Sequence, residues 1–172
     1  NSDDLLLPGA LAALHAGILA EPNREWWISG GYFIDEHGQK LSDYNPPHGL
    51  VKAADLSDWR KFWFAQPGTF FSRDLFERAG AQVNETLHYA MDLELWLRLL
   101  RLAAPGMLKG QISGYRLHSE AKTSVLTADG EVEIMRVLVD ALGIEAALAR
   151  VRSSAQDRED FLAANHVQQQ SN

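Results

Sequence analysis

Carboxylates, one imidazole, and a few amide and guanidinium groups are the side chains in this sequence with the types and spacing to do chemistry. Asp3 and Asp4 stand side by side ahead of Leu5-Leu-Leu-Pro8. Such a pair can cap a helix, or it can hold a hard divalent cation, which takes oxygen ligands and leaves room for phosphate oxygens. Asp92 sits at the start of Tyr89-Ala-Met-Asp-Leu-Glu-Leu-Trp-Leu-Arg98. A carboxylate there meets free backbone N–H groups and the positive end of a helix dipole, and its ordinary use is as a cap. Arg116 and His118 are two apart on an expected strand and so share one face. That pair suits a phosphate and a metal, although a lone His is more often an ordinary surface or core residue. Gln66 and Thr69 offer hydrogen-bonding groups beside an aromatic wall, as sugar sites do. The plain alternative is a buried strand crossing the Pro67-Gly68 turn.

Elements that could position these groups can be read from periodicity. Leu93, Trp96, Leu97 and Leu100 form one helical stripe and Leu95, Leu99 and Leu102 a neighbouring one, so a mostly buried helix is expected until Pro105-Gly106. Only Glu94, Arg98 and Arg101 interrupt its apolar surface. Pro8 suits the first turn of a helix over Ala10 to Ala20, closed by Glu21-Pro22-Asn23. The aromatic and β-branched run Trp26 to Asp35 predicts a strand, Asp35 to Gln39 a turn, and Lys40-Leu41 a second strand of a hairpin. Tyr44 to Ala54 is expected to be an irregular loop and Asp55 to Lys61 a short helix. Ser72 caps a helix over Arg73 to Ala79, closed by Gly80. Met107 to Leu117 predicts a strand. Glu131 to Val151 predicts a long helix broken at Gly143, and Asp157 to Ala164 a continuation before a frayed tail.

Composition narrows the classes. With 46% hydrophobic and 23% charged residues over 172 positions, the chain can bury a core of ordinary size. A net charge of −7 argues against nucleic-acid binding through a basic face. The absence of cysteine excludes disulfides, thiol nucleophiles and thiolate metal sites, and it fits a reducing compartment. No run reaches the roughly 18 apolar residues of a membrane span.

Four stretches, in order, resemble family 2 glycosyltransferases, inverting enzymes of GT-A fold. Asn1-Ser-Asp-Asp-Leu-Leu-Leu-Pro-Gly-Ala-Leu is similar to their metal-binding segment. Gln66-Pro-Gly-Thr-Phe-Phe-Ser-Arg73 with Phe76-Glu-Arg-Ala-Gly80 is similar to their acceptor-side segment. Tyr89 to Arg98 resembles the segment carrying their catalytic base, and Tyr115-Arg-Leu-His-Ser-Glu-Ala-Lys-Thr123 their closing strand. The likeness runs from Asn1 to about Thr123. It implies an α/β fold: a partial GT-A-like mixed sheet with flanking helices, over residues 1–123, followed by a helical C-terminal extension, 124–172. The family's nucleotide-binding half precedes the Asp-Asp segment, so the chain is expected to be the later part of a longer protein and inactive alone.

The resemblance assigns roles. Asp3, Asp4 and His118 would hold Mg²⁺ or Mn²⁺ against the donor diphosphate, with Arg116 and His118 at the phosphates. Asp92 would be the base, with Gln66, Thr69 and Arg73 on the acceptor side. Asp4, Asp92 and His118 are expected around one concave site. The partners implied are a nucleotide-sugar, by expectation a UDP-sugar, and a saccharide or lipid-linked saccharide acceptor, in the cytoplasm or at the inner face of a membrane. A rival expectation is a non-catalytic carbohydrate-binding or assembly module that kept the acceptor face.

Overall fold

The computed structural model describes residues 3–46, 52–57, 64–117, 128–152 and 155. They form an α/β protein around a mixed five-stranded sheet with helices on both faces. The strands are β1 (Leu5–Leu6), β2 (Trp26–Ile34), β3 (Lys40–Tyr44), β4 (Thr69–Phe71) and β5 (Gly106–Arg116). The helices are α1 (Ala10–Ala20), α2 (Arg73–Arg78), α3 (Met91–Leu100) and α4 (Ala128–Leu142). Residues 144–152 are helical beyond Gly143, whose φ of 89° ends α4.

Sheet order is β1-β5-β2-β3, with β4 pairing the first part of β2. The long central strands β2 and β5 run parallel, and every other pair is antiparallel. A parallel pair requires a crossover, and α3 lies within it. Side-chain alternation along β2 divides the core. Trp26 and Ile28 face α2, α3 and α4, whereas Trp27 faces α1 together with Leu108 and Ile112. On the first face Trp26 is fully buried and stacks on Trp96 of α3, with ring centroids 6.0 Å apart, while Phe64 meets Trp26 edge-on at 6.2 Å. Val137, Leu138 and Ala147 belong to the same cluster, so the C-terminal helices complete this core.

Helix α2 starts as the sequence indicates: Ser72 Oγ accepts from the Leu75 N–H at 3.1 Å. Helix α3 is closed on itself by Arg98, whose Nε and Nη2 donate to Glu94 at 2.7 and 2.9 Å. The same guanidinium donates to the carbonyls of Ala79 and Gln82 and so fixes the loop after α2.

Several expectations are corrected. Pro8 is outside α1: it forms a turn with Gly9, closed by the Ala10 N–H donating to Leu7 O at 3.0 Å. Gly9 has φ 88° and ψ −6°, the third-position geometry of a type II turn, which glycine adopts without a Cβ penalty. Asp3 and Asp4 are therefore not caps, because strand β1 and this turn separate them from the helix. Asp92 is not a cap either. Ala90 is the N-cap of α3, no side chain caps it, and Asp92 lies in the first turn. Finally, residues 53–57 are a 3₁₀ turn that starts before Asp55; the expected helix beyond Ser57 lies outside the described residues.

Candidate functional site

Strand β1 brings the Asp-Asp pair to the end of β5. Leu5 and Leu6 pair with Gly114 and Ser113, which carries Asp4 to the level of Arg116. Asp4 Oδ1 accepts from the Arg116 backbone N–H at 2.9 Å. Arg116 Nε donates to Asp3 O at 2.8 Å, and Nη1 to Asp35 O at 2.6 Å and Glu36 O at 2.9 Å. The Arg116 guanidinium thus ties three chain segments together at the C-terminal end of the parallel pair. In open α/β sheets this end is where ligands bind.

The second carboxylate oxygen, Asp4 Oδ2, is buried and has no hydrogen-bond partner. A buried unpaired carboxylate oxygen is costly, and a cation or a proton relieves that cost. One oxygen held and one left open suits a hard cation, which accepts one or two carboxylates and completes its shell with water and phosphate oxygens. Among the described residues no group of three or more His, Asp or Glu side chains converges, and His118 lies outside them.

Below Asp4 is a buried polar layer that sequence reasoning missed. The Tyr44 hydroxyl and Ser113 Oγ are 2.5 Å apart, and Ser29 Oγ donates to Gly68 O at 3.0 Å. Two glycines admit it. A Cβ on Gly31 would meet Tyr44 Cζ at 2.6 Å, so the ring can cross β2 only over a residue without a side chain. A Cβ on Gly68 would meet Ser29 Oγ at 2.5 Å and Ser113 Oγ at 2.8 Å. Tyr44, expected to open a loop, instead ends strand β3; its partner is 69 residues away, and no local periodicity announces the pair.

Burial pushes the Tyr44 phenol up to about 12, the Ser113 hydrogen bond opposes this, and the Asp4 charge adds to it. The folded state therefore binds this proton more tightly than the unfolded chain, whose tyrosines ionise near 10.0. The resulting stabilisation is complete below pH 10 and is lost as pH rises through about 12. In an ultraviolet phenolate titration of the four tyrosines, one is expected to ionise late, and Tyr44→Phe should remove that late step. Tyrosines that all titrate near 10 would contradict the buried layer.

The other candidates are distributed as follows. Gln66 begins a 3₁₀ turn, Gln66–Gly68, which lies over Ser29 and Ser113 and approaches β1. Thr69 follows it, its hydroxyl donating to Ala65 O at 3.0 Å. Arg73 is exposed and stands by the start of β2, where Phe71 pairs with Trp26 and the Ser72 N–H donates to Glu25 O. The fold does not bring it to Asp4. Helix α3 precedes β5 in the crossover and runs against the strands. Its C-terminal end is tied to the start of β2, where Arg24 Nη1 donates to Ala104 O at 3.0 Å. Its first turn, with Asp92 exposed, therefore points toward the C-terminal ends of β2 and β5. Asp4 is held at the end of β5, and Asp92 stands in the first turn of α3.

The N–H groups before α3 converge on a residue that no local pattern singles out. The Glu133 carboxylate of α4 accepts from the backbone N–H groups of His88, Tyr89 and Ala90 at 2.8, 2.5 and 2.7 Å. Desolvation acts to raise its pKa, but these three N–H groups and the neighbouring His88 together hold it below the usual carboxylate range.

Fold and site together define an α/β protein with a mixed sheet and, at the C-terminal end of its parallel strands, an Asp4 carboxylate held by the Arg116 backbone N–H. Compared with protein-family models and with curated proteins, the chain matches none. Among the described residues no helix is long and apolar enough to cross a membrane.

Proposed function

We propose that this chain is the acceptor-side part of a GT-A-like, inverting glycosyltransferase that moves a sugar from a nucleotide-sugar to a hydroxyl acceptor. The observation that carries the reading is Asp4: one oxygen fixed by the Arg116 N–H and the other buried without a partner, at the C-terminal end of a parallel pair. Asp4, with Asp3 and His118, would hold Mg²⁺ or Mn²⁺, which supplies charge neutralisation for the departing diphosphate. Arg116 keeps Asp3 and Asp4 in place and carries positive charge beside that group. Asp92 takes the proton of the acceptor hydroxyl as its oxygen bonds to the anomeric carbon and the bond from that carbon to the diphosphate oxygen breaks. Gln66, Thr69 and Arg73 are assigned to the acceptor side by the resemblance.

The test uses the intact protein with UDP-, GDP- and dTDP-sugars, each with Mg²⁺ or Mn²⁺ and a panel of saccharide acceptors. Metal-dependent release of nucleoside diphosphate with transfer is the expected result, and Asp4→Asn should lower it on the order of 10²-fold or more. Asp4→Asn with undiminished transfer, or no transfer from any donor, would end this reading.

A further inference from the structure

The clamp on the segment before α3 is made by a helix that the resemblance does not reach. Residues 88–90 immediately precede Met91 and Asp92, and all three of their N–H groups point at one carboxylate, 43 to 45 residues further along the chain. A carboxylate at the positive end of a helix is favoured twice, by direct hydrogen bonds and by the helix dipole. Two hydrogen bonds would already fix the side chain; the third leaves the backbone of this segment little freedom to shift or rotate. The helix that carries Glu133 is itself anchored, with Val137 and Leu138 buried against the Trp26 and Leu97 cluster. Glu131, two residues earlier, is held by Arg150 at 2.9 Å. A rigid body thus grips the turn on which Asp92 stands.

We propose that Glu133 is a positioning residue for Asp92, and that α4 thereby forms part of the catalytic apparatus rather than an appendage. This rests on the reading of Asp92 as the base. A proton acceptor must lie within hydrogen-bond reach of the acceptor hydroxyl in the reactive complex, and a displacement of about 1 Å costs up to about 10²-fold in rate. Glu133→Gln keeps the size of the side chain but removes the charge and turns one acceptor into a donor facing N–H groups.

The experiment compares Glu133→Gln, Glu133→Asp and Val132→Ala with the wild type in the intact protein. Steady-state kinetics use the nucleotide-sugar that the wild type turns over, and hydrogen exchange follows the peptide covering residues 85–95. Val132 lies on the same helix but is 67% exposed and takes no part in anchoring it, so its replacement controls for a change in α4 as such. Glu133→Gln is expected to lower kcat between about tenfold and a hundredfold with the donor KM unchanged, and to speed exchange at residues 88–90. Glu133→Asp should recover part of both, and Val132→Ala should leave kcat near the wild type. Fast exchange with normal kcat in Glu133→Gln would overturn the proposal, as would unchanged exchange or an equal loss of kcat in Val132→Ala. If the wild type transfers no sugar, the reading of Asp92 falls and this role with it; the exchange data would then still report on the clamp alone.

Discussion

Replacing Asp92 with Asn in the intact protein is expected to lower kcat by about two to four orders of magnitude while donor binding stays as it was. General-base catalysis contributes about that much, and an amide cannot take a proton at neutral pH. The variant should fold normally for a specific reason. Ala90, not Asp92, is the N-cap of α3, so the substitution removes no cap, and the first-turn charge it takes away is worth roughly 0.3–1 kcal/mol. The loss should therefore appear in kcat and not in thermal stability. Calorimetric titration of the donor separates a missing base from a missing substrate site. Transfer within tenfold of the wild type would exclude Asp92 as the base and leave the exposed first turn of α3 without a chemical role.

The second large effect concerns stability. Trp26→Ala is expected to cost roughly 3–5 kcal/mol, measured as a fall in the urea midpoint at unchanged slope. Trp26 has no solvent exposure and packs between Phe64 and Trp96, whose centroids lie 6.2 and 6.0 Å away. It joins β2 to α3 in the core that α4 completes, and truncation would leave a cavity that the backbone of a central strand cannot collapse to fill. Against a total stability of about 5–15 kcal/mol, such a loss brings the fold close to its limit. Leu11→Ala on α1 is the control: that side chain is 66% exposed, and its removal should change stability by no more than about 0.5 kcal/mol. A cost under about 1 kcal/mol for Trp26→Ala would mean that the two-face division of the core is misplaced.

The local elements were legible because their causes are local. Alternation of aromatic and β-branched residues in Trp26–Ile34, the 3.6-residue apolar stripes of Met91–Leu100, and the Ser72 cap each act within a few residues, and each has its expected element in the structure. Asp3, Asp4 and Arg116, which the resemblance groups together, are hydrogen-bonded neighbours, although 112 positions separate Asp4 from Arg116.

Tertiary structure decided the rest. Leu5-Leu6 is a strand only because Gly114 and Ser113 lie beside it; two residues carry no period of their own. A carboxylate at a helix start usually caps it, but α3 begins at Met91, so Asp92 falls past the N-cap Ala90 and inside the first turn. Glu133 was invisible because a glutamate within a helix is ordinarily a solvated side chain, and what distinguishes this one is the segment packed against it. Tyr44 and Ser113 were equally silent, since their contact requires a glycine between them on a third strand. Nearest-neighbour sterics write helices and strands into a sequence; the charges and hydroxyls of a site take their function from partners that only the folded chain supplies.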